Sequence, residues 1–222
     1  MISPPIREIY DTSYEPAVRG FLHFPATSAG RGLVLTHGAG GNAQSSLLVA
    51  LAESFCNAGF AVLRLDLPFR QGHSWRPPGP GDAARDRAGL KNTVRFMGAQ
   101  GFEQICLGGH SYGGRQSSML CAEEPELVST LLLFSYPLHP PRKPEQLRTQ
   151  HLPDLRTPSI FVHGTRDPFG TVEELELALK MIPAKTRLLA IDGAGHDLGF
   201  KGKAKKETLP KLVLDEFQGF LS

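Results

Sequence analysis

Residues 104–118 read QICLGGHSYGGRQSS: an apolar run, Gln104–Gly108, then Gly109-His110-Ser111-Tyr112-Gly113, then a further glycine, Gly114, at the start of a helix-like stretch. A Gly-x-Ser-x-Gly between a buried-strand pattern and a helix marks a nucleophile elbow, a turn tight enough to strain the central serine. Strand and helix then approach so closely that small residues are required around the turn, and Gly109, Gly113 and Gly114 meet that demand. The motif alone is common by chance; the strand before it and the helix after it give it weight.

Outward from this turn, short apolar runs alternate with helix-length stripes. Leu33–His37, Phe60–Leu65, Gln104–Gly108, Val128–Phe134, Ser159–His163 and Arg187–Asp192 are nearly continuous in apolar residues, as strands buried on both faces should be. Val18–Phe24 and Ile6–Tyr10 alternate with period two and read as an antiparallel hairpin at the sheet edge. Leu47, Leu48, Leu51, Ala52 and Phe55 share one helical face, closed by Gly59 as a left-handed cap. Asp82 is the expected N-cap of a helix carrying Leu90, Val94 and Met97. Val172, Leu175, Leu179 and Ile182 mark a later helix, and Leu209, Leu212, Val213, Phe217, Phe220 and Leu221 the last. With no repeat or linker, residues 1–222 read as one α/β domain, a mostly parallel sheet with helices on both faces.

Composition narrows the function classes. Twenty-four Lys and Arg against 22 Asp and Glu leave a net charge of +2, which gives no electrostatic ground for nucleic acid as a partner. The longest apolar runs, Leu47–Ala52 and Leu131–Phe134, are far too short to cross a bilayer, and no membrane partner is expected. Cys56, Cys106 and Cys121 form no C-x-x-C pair and read as buried free thiols. The opening MISPPIREIYD lacks a basic flank and apolar stretch, so the expected location is the cytoplasm.

A serine hydroxyl attacks only when a general base takes its proton and a carboxylate fixes the tautomer of that base. Both partners are expected later in the chain, in the order serine, acid, histidine. Asp167, in HGTRDP after the strand Ser159–His163, and His196, in GAGH after Arg187–Asp192, fit that order as acid and base. The interval of 29 positions from Asp167 to His196 holds one helix and one strand, so their loops converge on one sheet edge. Asp192 is kept as the substitute acid. The oxyanion hole is assigned to the backbone N–H groups of Ala39, in His37-Gly38-Ala39-Gly40-Gly41, and of Tyr112. Phosphate binding is the rival reading of HGAGG, but it lacks the spacing and the Lys-Ser/Thr pair of a P-loop.

Candidates for substrate contact are Gly38, Gly40, Arg70, His110 and Arg115, with His73 and Arg76 beside Arg70; the arginines would suit an anionic group. The favoured reading of Arg115 is nevertheless a structural ion-pair partner, and that of Arg70, His73 and Arg76 a solvated face. Two Pro- and Gly-rich loops, Asp66–Gly81 and Ser135–Pro158, follow strand ends and are expected to border the site or to serve as rigid connections. Lys201, Lys203, Lys205 and Lys206 form a solvated face or an anion-attracting rim. No metal or cofactor is called for.

On HGAGGN (37–42), GGHSYGGRQSS (108–118), SYPLHPP (135–141), HGTRDPFGT (163–171) and GAGHDL (193–198), the chain resembles single-domain α/β-hydrolases of the dienelactone-hydrolase-like group. Within it, the chain is most similar to the predicted hydrolases related to testis-expressed proteins and to a subunit of the NSL histone-acetyltransferase complex. It carries serine at 111 where dienelactone hydrolases have cysteine, so their lactone substrate is not carried over. The resemblance implies a cofactor-free serine hydrolase that cleaves a carboxylic ester or thioester of a small acyl substrate through an acyl-enzyme at Ser111, with His196 and Asp167. Amide or carbon–carbon cleavage would use the same triad. Because some relatives are complex subunits, the alternative is a non-catalytic interaction module on the same scaffold. The 24 residues of Ser135–Pro158 leave no room for a large cap, so an open site with little apolar wall is expected.

Overall fold

A computed structural model describes residues 5–72, 76–200 and 203–221, with the side chains of 203–205 excepted. His73 and Lys201 lie outside the described residues, as do the side chains of Lys203 and Lys205.

Eight strands form one sheet: β1 (Ile6–Asp11), β2 (Val18–His23), β3 (Arg31–Thr36), β4 (Ala61–Leu65), β5 (Gln104–His110), β6 (Thr130–Phe134), β7 (Ser159–Gly164) and β8 (Thr186–Ile191). Their spatial order is β1-β2-β4-β3-β5-β6-β7-β8. β1 and β2 pair antiparallel, as their alternation implies, and β2 joins β4 antiparallel. From β4 through β3 to β8 every pairing is parallel, so all six carboxyl ends lie along one edge.

The helices are α1 (Ser46–Asn57), α2 (Pro68–Gly72), α3 (Asp82–Ala99), α4 (Tyr112–Glu123), α5 (Val172–Leu179) and α6 (Lys203–Leu221). Apolar side chains of α1 and α6 cover one face of the sheet, and those of α3, α4 and α5 cover the other. Leu33, Val34 and Leu35 of β3 are wholly buried because both faces are covered, and each such side chain contributes roughly 1.5–3 kcal/mol. α1 ends as its sequence implies: Gly59 has φ +93°, its N–H reaches the Cys56 carbonyl, and the Phe60 N–H reaches that of Phe55.

Two local expectations are corrected. Asp82 does not cap α3 but is its first residue, after Gly81; its carboxylate accepts from the Gly79 N–H at 2.6 Å and pairs with Arg76. Asp66–Gly81 is not loop throughout, because Pro68 opens the short helix α2, whose Phe69 is buried in the core. Lys206 is exposed on α6.

Candidate active site

Ser111 sits between β5 and α4 with φ +52° and ψ −116°, a strained conformation for a residue with a Cβ. Its N–H donates to the Phe134 carbonyl at 2.8 Å, and its carbonyl accepts from the Arg115 N–H at 2.9 Å, which fixes the turn from both sides. A Cβ at Gly109 would stand 2.8 Å from the Gly114 nitrogen, and one at Gly113 would strike the His37 carbonyl. The glycines are therefore a steric requirement of the serine's position.

The serine Oγ lies 2.8 Å from His196 Nε2, and His196 Nδ1 lies 2.8 and 3.0 Å from the two Asp167 oxygens. With Nδ1–H donating to the carboxylate, Nε2 is left to accept the serine proton. The Asp167 side chain is fully buried, and its Oδ1 also accepts from the Phe169 N–H at 2.9 Å. Backbone bonds from Arg166 N–H to Ala194 O (2.8 Å) and from Thr165 N–H to Ile191 O (3.1 Å) clasp the acid loop to the histidine loop. Asp192, the substitute acid, is exposed and is not used in this way.

His110 braces the histidine from below: its Nε2 lies 2.8 Å from the His196 carbonyl and donates to it. Burial pushes its pKa down to about 4, so the ring is neutral near pH 7. His37 Nδ1 donates to the Gly38 carbonyl at 2.8 Å while Nε2 accepts the Leu67 N–H at 3.2 Å, and burial lowers its pKa also. The Tyr112 N–H is the first of α4 and has no acceptor within the helix. Its ring is anchored through a 2.7 Å bond from the hydroxyl to Asp86 Oδ2.

A cavity of about 750 Å³ opens beside Ser111. Gly38, Ala39 and Gly40 line it together with His110 and His196, and Leu47, Leu48, Pro168, Phe169 and Phe200 give it apolar walls. Among the described residues, no group of three His, Cys, Asp or Glu is placed to hold a metal, and no helix is long and apolar enough to cross a membrane.

A family model described as the alpha/beta hydrolase domain matches residues 29–218. The chain belongs to the α/β-hydrolase family. Solved structures share its fold across nearly their whole lengths. A dienelactone hydrolase from Anabaena variabilis is 23% identical, with 98% of this chain and 99% of that one covered and a TM-score of 0.75. Est1E from Butyrivibrio proteoclasticus, solved with ferulic acid bound, is 18% identical, with 92% and 96% covered and a TM-score of 0.74. XC6422 from Xanthomonas campestris, described as an α/β serine hydrolase without lid, is 13% identical, with 99% and 96% covered and a TM-score of 0.72.

In this α/β-hydrolase, several expectations about the surroundings of Ser111, His196 and Asp167 are revised. Among the described residues, neither Pro-rich loop supplies a wall of the cavity. The first buries Phe69 and turns Arg70 toward the oxyanion loop, where Nη2 donates to the Ala39 carbonyl at 2.6 Å. The second buries Tyr136, Leu138, Leu152 and Leu155 in the core. The walls come instead from α1 and from residues flanking the acid and the base, so the expectation of little apolar wall is overturned. Arg76 is committed to Asp82, at 2.5 and 3.0 Å. Arg115, read as an ion-pair partner or an anion ligand, has no ion pair among the described residues. Burial pushes the Cys56 thiol up to about 11 and Cys121 to about 12, which makes neither a nucleophile.

Sequence reasoning missed Asp86 and Phe169. Asp86 is fully buried and also accepts the Phe69 N–H at 3.0 Å. The signal was present, since the stripe Met97, Val94, Leu90 extends back by four residues to a carboxylate on an apolar face.

Proposed function

We propose that this α/β-hydrolase is a cofactor-free serine hydrolase that cleaves a carboxylic ester or thioester of a small molecule through an acyl-enzyme. The observation that carries this reading is the unbroken hydrogen-bond chain from Ser111 Oγ through His196 to the buried Asp167. Ser111 Oγ attacks the carbonyl carbon while His196 Nε2 takes its proton, and Asp167 stabilises the imidazolium. The Ala39 and Tyr112 N–H groups receive the oxyanion. His196 then gives the proton to the departing alcohol or thiol, and water, activated by the same ring, releases the acid and restores Ser111. The apolar walls suit the carbon skeleton of the substrate.

Within the family, the motifs HGAGGN, GGHSYGGRQSS and GAGHDL favour kinship with the predicted hydrolases related to testis-expressed and NSL-complex proteins. The three buried, unpaired thiols suit a reducing compartment, and we take that to be the cytoplasm.

The test is labelling by a fluorophosphonate probe, wild type beside Ser111→Ala, followed by short-chain ester and thioester panels. Rapid labelling lost in the variant supports the reading. A folded wild type that neither labels nor cleaves any of these substrates overturns it.

A further inference from the structure

Most cations around the elbow are matched by a carboxylate: Arg76 by Asp82, Arg87 by Glu123 and Lys91 by Glu124. Arg115 and Arg148 are not, among the described residues. Arg115 stands one helical turn beyond the nucleophile, its N–H bonded to the Ser111 carbonyl, and its Nε is buried without a hydrogen-bond partner among the described residues. The segment after β6 passes beside the elbow, since Phe134 accepts the Ser111 N–H. It then folds back so that the Tyr136 hydroxyl donates to the Arg148 carbonyl and the Arg148 N–H donates to Leu138 O, both at 2.8 Å. Among the described residues, the Arg148 guanidinium donates to the Pro137 carbonyl alone, at 3.3 Å from Nη1.

His151 completes the group, 2.8 Å from Ser118 Oγ on the same side of α4. Burial, then the Arg115 and Arg87 charges, push its pKa down to about 4, so it adds no charge near pH 7. Tyr136 joins the two arginines, its hydroxyl donating to the Arg148 carbonyl and taking a hydrogen bond from the Arg115 side chain, and burial followed by the Arg115 charge lowers the Arg148 pKa. Among the described residues, Asp154 acts on His151, and the Tyr136 hydroxyl is pushed up to about 12 mainly by burial, against the Arg115 and Arg148 charges and the hydrogen bonds from Ser118 and Arg115, so it stays neutral. Two like charges partly removed from water, without a counter-charge, are unfavourable until an anion joins them. The place is the carboxyl edge of the sheet beside the nucleophile, where ligands of α/β folds bind.

We propose that Arg115 and Arg148 form an anion subsite on the β6 side of Ser111, outside the apolar cavity, that takes a carboxylate or phosphate borne by the substrate. The inference rests on the hydrolase reading above and narrows it: the substrate carries an apolar part for the cavity and an acidic part for the arginines. Guanidinium forks match both anions, so the test separates them.

The test compares the aryl ester of succinate with that of monomethyl succinate, and the aryl ester of 3-phosphonopropionate with that of its dimethyl phosphonate. Wild type, Arg115→Gln, Arg148→Gln and Arg115→Lys are measured, with Arg85→Gln as a control on an exposed pair far from the elbow in sequence. The expected result is a kcat/KM preference of about tenfold or more for at least one anionic ester over its neutral twin, the size of a charge-assisted hydrogen bond. Either glutamine variant should cut that preference by about tenfold, Arg115→Lys should keep part of it, and Arg85→Gln should keep all of it. The subsite is overturned if wild type treats both pairs alike, or if both glutamine variants keep the preference. Should Ser111 fail to label and no ester be cleaved, the hydrolase reading falls while the subsite is still tested, by calorimetric titration of succinate and inorganic phosphate. Heat seen in wild type and lost in Arg115→Gln upholds the anion site; no heat in wild type removes it. A glutamine variant that does not fold is replaced by Arg115→Lys in both assays.

Discussion

The Phe169 ring lies against the His196 imidazole, centroids 4.2 Å apart and planes inclined by 32°, while the Phe169 N–H donates to Asp167 Oδ1 at 2.9 Å. One residue thus holds the base by its ring and the acid by its backbone. Phe169→Ala keeps the backbone bond and removes the stack, which is worth about 0.5–1.5 kcal/mol. The rate of Ser111 labelling by a fluorophosphonate should fall roughly three- to tenfold.

Asp167→Asn keeps the shape of the buried acid but makes its amide compete for the wrong imidazole tautomer. Ester hydrolysis should fall by on the order of a thousandfold or more. Circular dichroism should be unchanged, and a loss below tenfold would mean that Asp167 is not what orients His196.

Arg70→Gln separates a role in positioning from one in binding an anion. Its guanidinium donates to the Ala39 carbonyl, behind the N–H assigned to the oxyanion. Loss of that bond should lower kcat by about tenfold with KM little changed, a fraction of the loss caused by deleting an oxyanion donor. A raised KM for anionic esters alone would make Arg70 a substrate ligand instead.

Tyr112→Phe removes a donor from the fully buried Asp86 and should destabilise the fold by about 1–3 kcal/mol. Burial raises the Asp86 pKa in the native state, so the native state holds its proton more tightly than the unfolded chain does. Its contribution to stability therefore falls as pH rises from the unfolded value to the folded one. The Tyr112 bond works against that shift, so urea midpoints for the variant should fall more steeply than wild type across this acidic window.

His23, His110 and His151 titrate in the opposite sense. Each is pushed to about 4 in the native state, chiefly by burial, against about 6.5 when unfolded. Between those values the unfolded chain binds more protons, so stability is complete above about pH 6.5 and is lost as pH falls toward about 4. Urea unfolding at pH 7, 6, 5 and 4 should show this loss, and His23→Gln, which removes one such group, should make it shallower.

The hydrogen-bonded chain Ser111–His196–Asp167 was legible because its members occupy positions dictated by chain topology. Ser111 needs glycines at 109 and 113, and Asp167 and His196 each follow an apolar run whose carboxyl end must share an edge with β5. The hairpin β1–β2 was legible from alternation. The cavity was not, because Leu47 and Leu48 satisfy a helical stripe whether or not they also border a cavity, and Phe169 and Phe200 lie outside periodic segments. Nor was α2, whose five residues are too few to display a period. The lack of a counter-charge at Arg115 among the described residues depends on contacts distant in sequence, which spacing does not encode.

The cavity wall divides unevenly between the fold and the solvent. Leu48 and Phe200 are 1% and 5% exposed and belong to the core beneath α1 and α6, whereas Pro168 is exposed and Phe169 partly so. Truncating Leu48 to admit a larger acyl group would cost about 2–5 kcal/mol, a large share of the 5–15 kcal/mol that typically separates a native domain from its unfolded chain. The mouth of the cavity can therefore be reshaped at Pro168 and at the polar Ser45–Ser46 rim with little cost to folding, whereas its floor at Leu48 and Phe200 cannot.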